Sequence, residues 1–234
     1  MQTCRRYKVA KIFAIGTKAL RIAKNRDVFL RECTKIGLTP KIISGKEEAR
    51  LAYLGGTYDT RVNNTAVIDI GGGSTEVVYC NPKSFPVGAV TLTEKFMKSD
   101  PPTNLEIINM RGYIIKRIQR INNIKVKTLI GVGGTITTLA AINNKSFTNI
   151  HKTILPQAQI KNIFEKLSTM PIIKRRKIKG LTPKRADIII AGTLILMEAM
   201  KILRTEKVIV STKGIRHGLL IDKLSCIQPK LKLR

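Results

Sequence analysis

The chain has 234 residues, of which 43% are hydrophobic and 25% are charged, so it can bury one sizeable core or two small ones and is not disordered. Its 43 Lys and Arg against 15 Asp and Glu give a formal net charge of +28, which favours a polyanion as partner, although an Ile- and Lys-rich proteome would give the same bias. The longest apolar stretch, 188–203, is too short and too charged to span a membrane, and the start lacks the apolar run of a signal peptide, so we expect a cytoplasmic protein without membrane contact.

Hydrophobic periodicity predicts an alternation of strands and helices. Apolar residues at helical spacing indicate helices around 114–121 and 160–167. Near the C-terminus, Thr182 as cap and Pro183 as first residue predict a helix that stays apolar nearly all round to Leu203, as is typical of a helix packed on several sides. This alternation predicts an α/β fold. The predicted strands, rich in β-branched residues, are 9–15, 41–44, 65–70, 75–80, 127–131 and 207–211.

Two polar segments interrupt the predicted alternation of strands and helices. Residues 58–65 are short and polar and follow Gly55 and Gly56, which indicates a boundary between an N-terminal segment and a larger C-terminal unit. Residues 174–179 form a cationic run, which is most often a solvated surface and less often binds a ligand.

The most informative stretch runs from Val67 to Val78 and reads V-I-D-I-G-G-G-S-T-E-V-V. A predicted strand enters three glycines, Gly71, Gly72 and Gly73, and a second strand follows directly, so the glycines form a hairpin tip. Consecutive glycines allow close backbone approach, and several N–H groups can then point at one set of phosphate oxygens. No helix follows the loop, which excludes a Walker or Rossmann loop.

The side chains around this loop also suit a phosphate. Ser74 and Thr75 supply hydroxyl donors, and Asp69 and Glu76 place carboxylates on either side, where Mg²⁺ shared with a phosphate would bind. The alternative is a glycine-rich turn that binds nothing. The acidic and hydroxyl residues on both sides of the glycines favour the phosphate loop.

The segment D-I-G-G-G-S-T-E resembles the second phosphate motif of the exopolyphosphatase and guanosine pentaphosphate phosphatase (Ppx/GppA) family, a branch of the sugar kinase, heat-shock protein and actin ATPase superfamily. Further segments resemble family motifs in the same order, from about residue 8 to residue 222. They are G-T-K-A-L-R-I-A-K-N from Gly16, I-S-G-K-E-E-A-R-L from Ile43, G-V-G-G-T from Gly131, R-A-D from Arg185 and G-I-R-H-G-L-L from Gly214.

The resemblance implies an α/β fold of two ribonuclease-H-like lobes with a cleft between them. Family members normally begin with a D-x-G-S-x-S hairpin, the first phosphate loop, and no segment here matches it, so we expect an N-terminally truncated chain with an incomplete first lobe. We accordingly assign 1–58 to a remnant of the first lobe, 59–222 to the second lobe with the phosphate loop, and 223–234 to a basic tail. Sheet edges left exposed in this way favour pairing with another chain, for which a homodimer is one form.

The resemblance also assigns roles to residues. Glu48, next to Glu47, matches the glutamate that orients or deprotonates the attacking water, and Arg21 matches a phosphate-binding arginine. Without the motifs, Glu48 would be an ordinary first-turn acid and Arg21 a surface salt-bridge residue. We assign the binding of Mg²⁺ to the carboxylates of Asp69 and Glu76. A second backbone cradle for phosphate is predicted at Gly133, Gly134 and Thr135, for which the alternative is a tight turn from strand to helix.

These assignments imply a phosphohydrolase that releases terminal phosphate from polyphosphate or guanosine pentaphosphate, impaired if the first loop is missing. The alternative is a non-catalytic polyphosphate- or nucleotide-binding protein. A nucleic-acid binder is disfavoured by 5% aromatic residues, no Trp and no known binding module. A sugar kinase is disfavoured because the glutamate of G-x-E-E-A-R suits attack by water. Arg216 and His217 either bind a chain-like anion or face water.

Overall fold

The computed structural model describes residues 1–60, 63–121 and 126–227. The strands in these ranges are β1 (Ile15–Gly16), β2 (Lys41–Ile42), β3 (Thr65–Ile70), β4 (Thr75–Val78), β5 (Pro82–Phe85), β6 (Thr128–Val132), β7 (Ile154–Pro156) and β8 (Lys207–Val210). The α-helices are α1 (Gln2–Arg6), α2 (Lys18–Ile22), α3 (Arg26–Lys35), α4 (Gly45–Thr57), α5 (Ala89–Phe96), α6 (Asn104–Ile118), α7 (Gly133–Asn144), α8 (Gln157–Ser168), α9 (Ile172–Arg175), α10 (Ile189–Leu203) and α11 (Ile215–Ile227). Two 3-10 helices, Gln119–Ile121 and Pro183–Arg185, complete the described elements.

The centre of the molecule is a six-stranded sheet in the order β5-β4-β3-β6-β8-β7. Strands β3, β6 and β8 are parallel, while β4 and β5 extend one edge and β7 the other in antiparallel pairing. Strands β1 and β2 form a separate parallel pair. This arrangement confirms the predicted α/β fold, with helices on the faces of a mixed sheet.

The alternation of residues along β3 decides what each face of the sheet presents. Ala66 and Ile68 lie in the main hydrophobic core, whereas Val67 packs with Ala52 of α4 in a smaller cluster. Because successive side chains of a strand point to opposite faces, Asp69 lies on the same face as Val67. Strand β3 therefore directs Asp69 toward the side of the sheet that α4 covers.

Helix α10 is the predicted apolar helix, and 13 of its 15 residues are buried, so it is packed on all sides. Its end at Leu203 is confirmed, but the predicted start is wrong. Thr182 makes no side-chain capping bond, and Pro183 opens the short 3-10 helix instead of α10. Three residues in a turn follow before α10 begins at Ile189.

Several predicted strand boundaries also differ from the structure. The predicted strand 9–15 is absent except for Ile15, because Val9 and Ile12 are exposed and no neighbouring strand pairs with this part of the chain in the described ranges. Strands β5 and β7 were not predicted. The first has the polar sequence P-K-S-F and the second has three residues, so neither carries the apolar pattern of a strand.

Helix α4 packs against α11 through direct backbone contact. A Cβ atom added to Gly218 would lie 1.8 Å from the carbonyl oxygen of Leu51, and one added to Gly55 would lie 2.2 Å from that of Gly214. Residues with a side chain cannot approach this closely, so the glycines fix the position of α4 relative to α11.

Helix α11 continues to Ile227, five residues into the segment 223–234 that we predict as a basic tail. The remaining residues of that segment, 228–234, and part of the predicted boundary 58–65 lie outside the described residues. The division into 1–58 and 59–222 stays a prediction. Among the described helices, none combines the length and hydropathy needed to cross a bilayer.

Candidate active site

Helix α4 places its two acidic residues in different environments. Oγ of Ser44 accepts a hydrogen bond from the N–H of Glu47 at 3.1 Å and so caps the helix. Glu48 and Ala52 are four residues apart and share a helix face. Since Ala52 packs against the sheet, Glu48 also faces the sheet, and its side chain is only 13% exposed. Glu47 pairs with Arg50, with 2.9 Å between Oε2 and Nε.

Asp69 and Glu76 are directly opposite each other across β3 and β4. Side chains that face each other in an antiparallel pair lie on the same side of the sheet, so both carboxylates are on the side covered by α4. Oε1 of Glu76 accepts a hydrogen bond of 2.7 Å from the hydroxyl of Ser84 on β5. Glu76 is buried, and the sheet thus presents two carboxylates beneath Glu48.

Two cations from α2 complete this group. Nη1 of Arg21 donates to the carbonyl oxygen of Ile43 at 2.6 Å and lies 3.2 Å from Oε2 of Glu48. Nζ of Lys18 donates to the carbonyl oxygen of Gly73 in the glycine loop. The predicted residues Arg21 and Glu48 are therefore in contact, and Lys18 joins them from the same helix.

Burial dominates the electrostatics of the carboxylates. It raises the pKa of Asp69 to about 6, and the charge of Glu48 adds to this effect. Burial likewise raises the pKa of Glu76 to about 7, against the hydrogen bond from Ser84. The pKa of Glu48 is also raised by burial, although the hydrogen bond and charge of Arg21 oppose the shift. The three carboxylates therefore lack full compensation by cations.

Hydrogen bonds from the start of α5 hold the glycine loop in place. The carbonyl oxygens of Gly71 and Gly72 accept from the N–H groups of Ala89 and Val90 at 2.9 and 2.8 Å. In the described part of the chain, the N–H groups of Gly72 and Gly73 donate to no acceptor. These two donors are available to an external acceptor, and the binding of phosphate oxygens by the glycines stays a prediction.

The two predicted hydroxyl donors have other partners. Oγ1 of Thr75 donates to the carbonyl oxygen of Val87 at 2.6 Å, and Ser74 hydrogen-bonds to Glu76. Both side chains are buried. The predicted direct contact of these hydroxyls with phosphate is therefore replaced in the structure by support of the loop and of the carboxylate behind it.

The predicted second cradle lies at the start of α7, directly beside Asp69. Gly133 has a φ of +85°, and a Cβ atom at this position would lie 2.3 Å from Oδ1 of Asp69, so only glycine fits here. The guanidinium of Arg185 lies over Gly134, since a Cβ added there would be 1.9 Å from its Nη1. The N-terminal amides of α7 are thus close to a cation and a carboxylate.

A cavity of about 390 Å³ opens between the starts of α7 and α11. Arg216 and His217 line it together with the two glycines, which favours the anion-binding alternative for this pair of residues. Thr135 does not line it, because its side chain packs against Gly192 of α10. We refer to this space as the glycine cavity, lined among others by Asp69, Gly133, Gly134, Arg185, Arg216 and His217.

The carboxylates meet the chemical requirements of Mg²⁺. Among the described residues, no group of three or more His, Cys, Asp or Glu side chains is arranged so that it could hold a metal ion. Magnesium does not need such a group, because it is usually held by one or two carboxylates with water and substrate phosphates. Asp69 is half-buried and Glu76 is buried, the two lie opposite each other on paired strands, and burial raises the pKa of both. A cation held by both carboxylates would stabilise their ionised forms.

Comparisons with known proteins decide the family. A model of the Ppx/GppA phosphatase family matches residues 1–226, nearly the whole chain. The chain belongs to this family. The resemblance identified from the motifs is therefore confirmed over both glycine loops and the segments that carry Arg21 and Glu48.

Other members of the Ppx/GppA family differ in their named substrates. Exopolyphosphatase 2 of Mycobacterium tuberculosis is 29% identical over 237 aligned residues, which cover 91% of this chain and 74% of that protein. A guanosine-5'-triphosphate,3'-diphosphate pyrophosphatase of Aliivibrio fischeri is 28% identical, covering 92% of this chain and 46% of its own length. The chain thus resembles both enzymes to a similar degree.

Solved structures of Ppx/GppA proteins share the fold. The crystal structure of the Aquifex aeolicus family member superposes with a TM-score of 0.86 at 32% identity, over 97% of this chain and 78% of that one. An exopolyphosphatase from Cytophaga hutchinsonii gives a TM-score of 0.89 at 24% identity, which supports the fold alone.

Three site residues were not predicted from the sequence. Lys18 occupies a variable position of the G-T-x-A-x-R pattern, and Ser84 lies in a polar strand without a motif, so neither gives a signal. Arg185 does carry one, because it begins the R-A-D segment that resembles the family. That segment could have placed a second arginine in the site.

Proposed function

We propose that this chain hydrolyses phosphoanhydride bonds and releases terminal phosphate from polyphosphate or guanosine pentaphosphate. The observation that supports the proposal best is the position of Glu48, held against Arg21 at 3.2 Å on the side of the sheet that carries Asp69 and Glu76. Such a group offers a base, a cation for phosphate oxygens and a place for Mg²⁺.

In the proposed reaction, Glu48 accepts a proton from a water molecule. The water oxygen bonds to the terminal phosphorus while the bond from phosphorus to the bridging oxygen breaks. The departing chain keeps the bridging oxygen, and solvent protonates it where its pKa requires. Because burial raises the pKa of Glu48, its carboxylate is a stronger base than an exposed one.

Other residues bind and orient the terminal phosphate. Arg21 and Lys18 neutralise its oxygens from one side, and the free N–H groups of Gly72 and Gly73 donate from the loop. When bound at Asp69 and Glu76, Mg²⁺ would neutralise charge on the phosphate oxygens.

The deciding experiment is phosphate release by the purified chain with Mg²⁺, from long-chain polyphosphate and from guanosine pentaphosphate, with Glu48→Gln as the blank. Turnover above the blank would support the proposal and identify the substrate. Absence of turnover with intact folding and retained polyphosphate binding would favour the alternative of a non-catalytic binding protein.

The same assay tests the metal. Removal of Mg²⁺ with a chelator should abolish turnover, and Asp69→Asn should raise the Mg²⁺ concentration needed for half-maximal rate. Thr103→Ala provides a control at the start of α6, where it removes a helix cap that pairs with Glu106 and not with Asp69 or Glu76. Turnover that is unchanged by the chelator would contradict the magnesium assignment.

A further inference from the structure

An apolar groove lies between the N-terminal part of the chain, residues 4–40, and helix α11. It has a volume of about 660 Å³ and is open to solvent. We call it the N-terminal groove. Large hydrophobic side chains that are 40% to 51% exposed belong to its lining, and they are Val9, Ile12, Phe29 and Leu220. Exposed apolar side chains gathered in one place are typical of an interaction site.

The segment 9–15 lines this groove and has the sequence of a strand without the pairing of one. It reads V-A-K-I-F-A-I, and its β-branched and aromatic residues favour a strand. Only Ile15 pairs, with Lys41 of β2. In the described part of the chain, the backbone N–H groups of 10–14 donate to no backbone acceptor. The segment therefore has the composition of a strand but lacks a neighbour.

Strand β1 has a free edge on the side opposite β2. The N–H groups of Lys41 and Ile43 donate to the carbonyl oxygens of Ala14 and Gly16, both at 3.0 Å. Because consecutive residues of a strand direct their hydrogen-bonding groups to opposite sides, Ile15 directs its own groups away from β2. Every residue of 11–15 lines the groove. A strand that pairs with this edge would therefore lie along the groove.

Positive charge surrounds the groove. Residues 1–44 contain eleven Lys and Arg but only two acids, Asp27 and Glu32. Lys11 and Arg216 belong to the lining, which includes no Asp or Glu. Within the described ranges, neither of these two cations forms an ion pair. The groove is thus complementary to an acidic segment, and it repels a second copy of this chain, whose net charge is +28.

The backbone of 10–14 favours a polypeptide over a lipid surface as the occupant. Hydrocarbon cannot accept hydrogen bonds from these N–H groups, so a bilayer would leave them unsatisfied. An extended peptide supplies carbonyl oxygens to the same donors. It also directs every second side chain to one face, where apolar side chains would enter the groove.

We propose that the N-terminal groove binds an extended acidic segment of another protein, which adds a strand to the free edge of β1. Residues 9–15 become a paired strand in this complex. Alternate apolar side chains of the partner fill the groove, and its carboxylates lie near Lys11 and Arg216. The interaction goes beyond the proposed hydrolysis, because none of the residues that line the groove is Glu48, Asp69 or Glu76.

The test uses the full chain and a fluorescently labelled synthetic peptide in which Val and Glu alternate, long enough to pair with 9–15. A second peptide has Lys in place of Glu and tests the charge. A third keeps the sequence of the first but carries N-methyl groups on alternate amides, which prevents strand pairing. Fluorescence anisotropy measures the binding of each peptide.

The groove variant is Ile12→Asp, and the matched control is Ile108→Asp on α6. The two isoleucines are 40% and 59% exposed, so neither substitution removes a core side chain. Ile108 is not part of the groove lining. Unchanged thermal midpoints will show that both variants fold.

The Val–Glu peptide should bind saturably with a Kd below about 1 mM. Ile12→Asp should weaken this binding about ten-fold, because it places a carboxylate and removes an apolar contact in the groove, whereas Ile108→Asp should change it less than about two-fold. The Lys peptide and the methylated peptide should each bind at least about ten-fold more weakly. Absence of saturable binding, equal loss in the two variants or equal binding of the methylated peptide would overturn the proposal.

Cysteine alkylation locates the bound peptide on the protein. Cys4 lines the groove, and Cys80 is an exposed cysteine outside it. The Val–Glu peptide should slow the reaction of Cys4 with iodoacetamide, measured by mass spectrometry, and leave that of Cys80 unchanged. Equal protection of both cysteines, or of neither, would contradict binding in the groove.

The same variants distinguish other occupants of the groove. Dimerisation of the chain that Ile12→Asp abolishes would identify a second copy. Binding to phosphatidylglycerol vesicles that Ile12→Asp abolishes, without binding of the peptide, would identify a membrane surface. Either result would overturn the proposal of an acidic partner strand.

Discussion

Nη1 of Arg21 lies between two acceptors, the carbonyl oxygen of Ile43 at 2.6 Å and Oε2 of Glu48 at 3.2 Å. The first contact fixes the guanidinium against the backbone just before α4, and the second fixes the carboxylate on α4 itself. Arg21 thus orients Glu48 and supplies positive charge next to it. The orientation of Glu48 and the charge beside it each predict the effect of a substitution.

Substitution of Glu48 by Gln should abolish phosphate release and leave polyphosphate affinity within about two-fold, because the amide keeps the shape of the side chain but cannot accept the proton. Turnover and equilibrium binding of the same preparation check this. Glu47→Gln is the matched control, since Glu47 pairs with Arg50 and should affect turnover little. Full turnover in Glu48→Gln would exclude Glu48 as the base.

Replacement of Arg21 by Met should shift the acidic limb of the pH–rate profile. The hydrogen bond and charge of Arg21 oppose the rise in the pKa of Glu48 that burial causes. Without them the pKa rises further, so the limb should move to higher pH, with a rate loss of about 100-fold. The measurement is kcat/KM against pH for both proteins. An unmoved limb would show that Glu48 is not the group that titrates.

The parts of the site that the sequence predicts are those encoded locally. Asp69 and Glu76 flank a glycine hairpin, so their pairing across β3 and β4 follows from the period-2 pattern of two adjacent strands. The orientation of Glu48 follows in the same way from its spacing to Ala52 on one helix. The relative positions of residues that are close in sequence can be predicted without knowledge of the tertiary fold.

The parts that the sequence does not predict depend on contacts between distant segments. Lys18 meets Gly73 across 55 positions of the chain, and Arg185 reaches Gly134 at the start of α7 from the 3-10 helix that precedes α10. Arg175 is a further example, because it lies in the cationic run 174–179 yet is only 2% exposed, 2.7 Å from Asp100. Arg175 departs from the prediction because it forms this buried ion pair. The other basic residues of the run are exposed, as the composition predicts: Lys174, Arg176, Lys177 and Lys179.

The contact between α4 and α11 should be sensitive to a single methyl group. In Gly218→Ala the new Cβ would lie 1.8 Å from the carbonyl oxygen of Leu51, so the helices must separate, at a cost of about 2–3 kcal/mol of unfolding free energy. Activity should fall as well, because α4 carries Glu48. Urea unfolding and phosphate release are the measurements.

Gly112 provides the matched control for this substitution. It is an exposed residue within α6, and a Cβ atom added there meets no other atom within 4 Å. Gly112→Ala should therefore stabilise the protein by about 0.5–1 kcal/mol. Equal effects of the two substitutions would contradict the tight helix contact at Gly218.

A last prediction concerns Asp59, which ties the end of α4 to the segment that follows β8. Its Oδ2 lies 2.8 Å from Nε2 of His151 and 3.2 Å from Nζ of Lys213. Burial alone would raise the pKa of Asp59, but these hydrogen bonds and charges more than offset it and lower the pKa to about 2. The carboxylate is therefore stabilised in its ionised form by folding.

A lowered pKa in the folded state means stability that is present above the ordinary value of 3.8 and lost as the pH falls toward about 2. Asp59→Asn should accordingly reduce the unfolding free energy by about 1 kcal/mol near neutral pH, and the difference from wild type should shrink at about pH 3. Asp27→Asn serves as control, since Asp27 is an exposed acid paired with Arg26 at 3.6 Å, and should show little difference at either pH. A difference for Asp59→Asn that stays constant with pH would show that the stabilisation comes from shape rather than from the charge of the carboxylate.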